Sequence, residues 1–204
     1  MHNSAIFPLF YLPPVSYFSA FKKHDFSVLL EKEEHFPKQT FRNRTKIYSP
    51  NGALDLFLPV IKGSKYHTKM KDVKISYDFK WQRLHWLSME SCYRNSPYFE
   101  FYEDGLVKFY EQKFEFLFDY NQELLSWIFK QLKQSPKFGF TTEYIAEAPQ
   151  ELDYRVKNKF RLLDNEAGEV KQYHQVFAEK HGFMSNMSIV DLLFNQGPQA
   201  KNYI

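Results

Sequence analysis

This chain has few of the residues that usually mark a function outright. It holds one cysteine, Cys92, so no internal disulfide can form and a reducing compartment is the expected home. With 7 Gly and 10 Pro in 204 residues and no fixed period, collagen-like, low-complexity and repeat architectures are excluded. No stretch approaches the ~20 apolar residues of a membrane-spanning helix. Neither sign of charge dominates: 27 basic residues face 24 acidic ones, net +3. That falls short of the strongly basic, clustered profile of a nucleic-acid binder, so no nucleic-acid partner is expected. The Gly-x-Gly-x-x-Gly fingerprint, the P-loop and the Gly-x-Ser-x-Gly elbow are all missing. The seven histidines are scattered, with no His-x-x-x-His and no cysteine pair, so no metal site is expected. Residues 5–21 are apolar, yet Pro8, Pro13 and Pro14 interrupt them. No Lys or Arg precedes them and no small-residue cleavage site follows, so they read as mature structure and the protein as cytoplasmic.

Aromatics are abundant: 22 Phe, 14 Tyr and 3 Trp, 39 of 204 residues. Disordered chains are poor in such residues, so the bulk of this one folds. The length suits one domain, 1–204, with a composition shift near 134–136 as a possible subdivision. Residues 5–11 read as a buried strand, and Pro13-Pro14 open a short helix over Val15 to Lys23. Phe26 to Glu31 returns as a strand, which makes a βαβ unit with parallel strands. Glu31 to Lys46 is polar and irregular. Leu54 to Ile61 and Lys71 to Tyr77 have strand character. Helices are expected over Asp78–Asn95, Tyr98–Lys113 and Phe116–Lys133. Phe138 to Tyr144 is β-like, Ala146 to Lys171 a surface excursion with a strand or turn at Phe160–Leu163, and Met187 to Asn195 a last short helix capped by Asn186 or Ser188. The fold class is α/β: a βαβ N-terminal half with a mixed sheet, a helical middle and a short C-terminal helix.

Three clusters carry candidate chemistry. Tyr11, Pro13, Pro14 and Tyr17 surround the turn after the first strand, at the sheet's carboxyl edge, where open α/β sheets bind ligands. Rigid packing around a proline turn is the competing reading. Lys38, Gln39, Arg42, Asn43 and Arg44 put three cations within seven residues, with no acidic residue between Glu34 and Asp55. Such donors suit phosphate or carboxylate, and a solvated loop is the alternative. Trp81 and His85 share a helix face, as do Gln82 and Trp86. His85 fits a general base, a substrate clamp or a core residue. Cys92 lies seven residues on, and an inert buried thiol is its expected state.

Read in order, these clusters resemble the WbqC-like protein family. The resemblance rests on Tyr11-Leu12-Pro13-Pro14-Val15-Ser16-Tyr17-Phe18, Pro37 to Arg44, Trp81 to Trp86, Ser96-Pro97-Tyr98-Phe99, and the run from Gln175 through His181-Gly182-Phe183 and Met187 to Pro198. Residues 134–172 match least, and Phe7-Pro8 stands where many members carry Gln-Pro. The resemblance implies a link to O-antigen and other surface-polysaccharide clusters, and transfer of an acyl or aminoacyl group such as glycine to an amino sugar. On that reading Lys38, Arg42 and Arg44 hold a diphosphate. Tyr11, Tyr17, Trp81 and Trp86 stack on sugar or base faces, with Gln39, Asn43 and Asn186 also lining the site. His85 or His181 deprotonates the attacking amine, and Asp191 orients a histidine. The partner is then a small anionic or sugar-containing molecule. No cofactor is named by the sequence. The competing function is a glycan- or nucleotide-sugar-binding protein without chemistry. A nucleotidyltransferase-like unit is a third, against which the missing His-x-Gly-His counts.

Overall fold

Residues 4–61, 68–155 and 171–204 are described in a computed structural model of the chain. In β1 (Ala5–Pro8) every residue is buried, as in a strand covered on both faces. It lies parallel to β2 (Ser27–Glu31), with Ala5 opposite Val28 and Pro8 opposite Glu31. Helix α1 (Val15–Lys22) makes the crossover between them. β5 (Lys137–Phe140) pairs with the other side of β2, again parallel, giving the order β1-β2-β5. Outside β1, the Ile6 N–H donates to Leu152 O at 2.8 Å and the Tyr154 N–H to Ile6 O at 2.9 Å. Chain from beyond 134–136 therefore flanks both edges of the βαβ unit.

β3 (Arg44–Ser49) and β4 (Gly52–Phe57) form a separate antiparallel hairpin. The parallel and antiparallel pairings thus sit in two sheets. β3 occupies the end of a stretch expected to be irregular. Its alternation was masked because every second residue, Arg44 and Lys46, is a cation while Thr45 and Ile47 are buried. β4 begins at Gly52 and stops at Phe57, short of Ile61. The strand expected over Lys71–Tyr77 is instead a 3-10 turn, Met70–Asp72, followed by single bridges from Lys74 to Phe116 and from Ile75 to Val60. Val73 and Ile75 alternate because they enter the core, not because they join a ladder.

α2 (Trp81–Tyr93) and α5 (Leu117–Gln131) match their apolar periodicity. The helix expected over 98–113 is split into α3 (Phe99–Leu106) and α4 (Lys108–Glu111). Phe160–Leu163 lies outside the described residues. α6 (Ala178–His181) and α7 (Ile189–Gln196) follow among the described residues, and a 3-10 turn, Gly197–Asn202, comes after them. Among the described residues no helix is long and apolar enough to cross a membrane. The core is largely aromatic: Phe7 packs at 4.5 Å from Phe21 and stacks at 4.1 Å on Tyr154, while Phe18 and Phe21 both meet Phe129 at 5.3 Å.

The N-termini of α1 and α7 satisfy each other. Neither helix uses a side chain of its own N-cap residue. Instead the Val15 N–H donates to Met187 O and the Ser16 N–H to Asn186 Oδ1, while the Ile189 N–H donates to Pro13 O. Ser188 holds the N-cap position, but its hydroxyl donates to Leu12 O at 3.1 Å. Orphan donors at two helix starts are thus met by each other's lead-in chain.

At the far end of α7, Gly197 takes φ +51°, and a Cβ there would run into the Tyr98 ring. Gly197→Ala is expected to cost about 2 kcal/mol from backbone strain and overlap together. Urea unfolding measures it, and an unchanged midpoint would refute this account.

Candidate functional site

The turn over Leu9–Pro14 leaves β1 at the carboxyl edge of the parallel sheet. Four elements meet on it. The Tyr11 N–H donates to Phe41 O at 2.9 Å, Thr45 Oγ1 and Ser188 Oγ both donate to Leu12 O, and Tyr11 Oη reaches His85 Nδ1 at 2.9 Å. The basic loop, the proline turn, α2 and the start of α7 are thereby brought together. Leu12 adopts φ +41°, so the turn is held in a conformation non-glycine residues rarely take.

Tyr11, Tyr17 and Trp81 are fully buried, and none offers a ring face to solvent. Tyr17 donates its hydroxyl to Pro8 O at 2.8 Å. Trp86 is half-buried against Tyr110 and Phe99. His85 is buried, and Tyr11 Oη meets its Nδ1 at 2.9 Å. Tyr110 Oη lies 2.8 Å from Tyr11 Oη and extends the string. Burial pulls the His85 pKa down to about 4, so the ring is neutral at pH 7.

The basic cluster divides between the loop before β3 and the strand itself. Arg42 points inward, where Nε and Nη2 donate to the two carboxylate oxygens of Glu34 at 2.6 and 2.7 Å. Its fork is filled by a residue of this chain. Asn43 is also buried and donates to Leu58 O. Lys38 and Gln39 are exposed, Gln39 with φ +60°. Arg44 points the other way, its guanidinium 5.1 Å from the Phe57 ring centroid.

Sequence reading missed the carboxylates at the end of β2. Glu31, Glu33 and Glu34 are all buried. Glu31 accepts from Thr141 Oγ1 and Arg155 Nη1; Glu33 accepts from Lys69 and Lys71, whose ammonium groups hold its carboxyl below the usual range. Burial pushes Glu34 up in spite of Arg42. The signal was present: a Glu-x-Glu-Glu run closing a strand, eight residues before the arginines.

Asp191 is completely buried at the first turn of α7. It accepts from Tyr93 Oη at 2.9 Å, Tyr173 Oη at 2.7 Å and Gln175 Nε2 at 2.8 Å. It touches neither His85 nor His181. Burial raises its pKa while the three donors pull it back. Burial, with Asp191 next in importance, also pushes the Cys92 thiol up to about 11, which leaves it protonated. Asn186, at φ +55°, caps α1.

His181 ends α6 exposed to solvent. Its Nε2 lies 2.9 Å from Pro50 O, and its ring centroid 6.3 Å from that of Tyr48. A carbonyl only accepts, so Nε2 carries the hydrogen and Nδ1 of the neutral ring keeps its lone pair. Tyr48 donates to Gly182 O at 2.7 Å and to Phe177 O at 3.1 Å, which fixes α6 over the hairpin. No contact joins His181 to His85. Among the described residues no group of three or more His, Cys, Asp or Glu is placed to hold a metal.

Comparison with known proteins gives one family. The model of the WbqC-like protein family matches residues 10–167. An uncharacterized protein of Mycobacterium tuberculosis (strain ATCC 25618 / H37Rv), Rv1507c, is 25% identical over 231 aligned residues, covering 100% of this chain and 98% of that relative. No solved structure matches.

Two stability measurements test the buried groups. The unfolded His85 titrates near 6.5 and the folded one near 4, so the unfolded chain binds more protons between these values. Stability is expected to fall as pH drops through that window, by up to about 3 kcal/mol from this residue. His85→Gln should flatten the slope in a pH series of urea titrations. Arg42→Met strands a buried carboxylate and should cost about 3 kcal/mol, with Glu34→Gln in the same chain restoring part of it.

Proposed function

Because the chain belongs to the WbqC-like protein family, we propose that it is a cytoplasmic transferase that passes an acyl or aminoacyl group, such as glycyl, to an amino sugar in surface-polysaccharide biosynthesis. The observation that carries the reading is the exposed His181, whose Nδ1 lone pair stands free beside Tyr48 on the hairpin face that also bears Arg44. The acyl donor is an activated ester or thioester. The sugar's amine nitrogen attacks its carbonyl carbon, a C–N bond forms and the bond to the leaving oxygen or sulfur breaks. His181 Nδ1 takes the amine proton and returns it to the leaving group, so the site ends as it began. His85 serves as a positioning residue: it is buried, and its Nδ1 meets Tyr11 Oη and holds the turn in place.

A non-catalytic sugar-binding role is the second reading. It is favoured by the protonated Cys92 thiol and by the burial of His85 against Tyr11, which leave neither as a ready nucleophile or base.

A thermal-shift screen of nucleotide-sugars with amino-acid donors, followed by mass spectrometry, tests both. The expected result is a sugar product heavier by one acyl group, with His181→Ala lowering turnover about 100-fold or more at unchanged melting temperature. Stabilisation by a ligand with no product supports the binding role. Full turnover in His181→Ala overturns the assigned base.

A further inference from the structure

Direct cross-strand pairing places Arg44 opposite Phe57 and Lys46 opposite Asp55. Side chains opposite one another share a face, and alternate residues along a strand do too. Arg44, Lys46 and Tyr48 therefore lie on one face of the hairpin with Phe57 and Asp55. The burial pattern agrees: Thr45, Ile47 and Leu56 are buried, whereas Arg44 and Lys46 are half-buried and Asp55 and Phe57 exposed. Tyr48 is buried because α6 covers that end.

Two features set this face apart. The Arg44 Nε is buried and has no hydrogen-bond partner among the described residues. A buried guanidinium N–H normally finds an acceptor. The Phe57 ring beneath holds the guanidinium plane. Second, neither Arg44 nor Lys46 forms an ion pair among the described residues; Arg42, two residues earlier, has its carboxylate, and the sole acid on the face, Asp55, is not in salt-bridge contact with Lys46.

We propose that this outer face of the β3–β4 hairpin is an anion site for a phosphate ester or diphosphate, with Arg44 as the oriented fork and Lys46 as the second charge. It rests on the transferase reading only in placing the activated, phosphate-bearing sugar beside His181. Alternate residues on a strand are about 7 Å apart, so two such long side chains can converge on one diphosphate. The inward Arg42 takes no part, which separates two residues that the sequence groups together.

Isothermal titration with inorganic pyrophosphate reads the site without any activity, so failure of the transferase reading leaves this measurement intact. Binding by the folded wild type is expected. Arg44→Gln should weaken it at least about tenfold and Lys46→Gln to a lesser degree. Lys113→Gln, a cation stacked on Tyr77 elsewhere, should leave it unchanged. Arg44→Lys, which keeps the charge and loses the fork, should fall between. Co-sedimentation with phosphatidylglycerol vesicles distinguishes the sources: pyrophosphate binding alone supports a soluble phosphate, and Arg44-dependent binding to both supports a lipid-borne one. No pyrophosphate binding by folded protein, or equal weakening by Lys113→Gln, overturns the proposal.

Discussion

Two helix beginnings far apart in the chain hold each other together. The lead-in to α1 supplies the carbonyls of Leu12 and Pro13, and the lead-in to α7 supplies Met187 O and the Asn186 side chain. Each segment answers the unsatisfied N–H groups or hydroxyl of the other, so neither is complete alone. The remaining contacts on the turn depend on that exchange. Thr45 reaches Leu12 O, the Ser188 N–H reaches Lys46 O, and Tyr11 is set where its hydroxyl meets His85. The hairpin, α2 and the C-terminal segment are thereby fixed around a single proline turn.

Buried polar groups extend that fixation outward. Asp191 joins α2 through Tyr93 and the preceding segment through Tyr173 and Gln175; Gln175 in turn exchanges hydrogen bonds with the backbone of Met184. The Tyr48 N–H donates to Tyr93 Oη, so β3 is tied into the same group. An unpaired buried carboxylate would be costly, and three neutral donors meet the charge here. Both oxygens of Asp191 are met by these three donors, none of which is a histidine.

The βαβ opening was legible because Ala5–Pro8 and Ser27–Glu31 are short apolar runs on either side of a proline-opened helix. α2 and α5 were legible from their period. The hairpin was not, since cations at alternate positions of β3 look like a solvated loop until its partner strand is known. The site was half-readable. Pro13-Pro14 and the basic loop do come together, and His85 does reach Tyr11. What one chain read in order does not show is side: Arg42 lies in the loop before β3 and Arg44 opens the strand, and one faces Glu34 while the other faces Phe57. Nor does residue type reveal that Trp81 and Tyr17 have gone wholly into the core.

The exchange between 12–16 and 186–189 also sets an order of events during synthesis. β1 is made well before its flanking partner at 152–154 and the caps of the helix that follows it at 186–187. A ribosome-held chain lacking them carries Phe7, Phe10, Tyr11, Tyr17, Phe18 and Phe21 with their companions still unmade. Such late-closing, non-local topologies fold slowly and expose apolar surface meanwhile. The aromatic wealth that excludes disorder in the finished protein leaves its nascent N-terminal part with apolar surface to cover until the later segments are made.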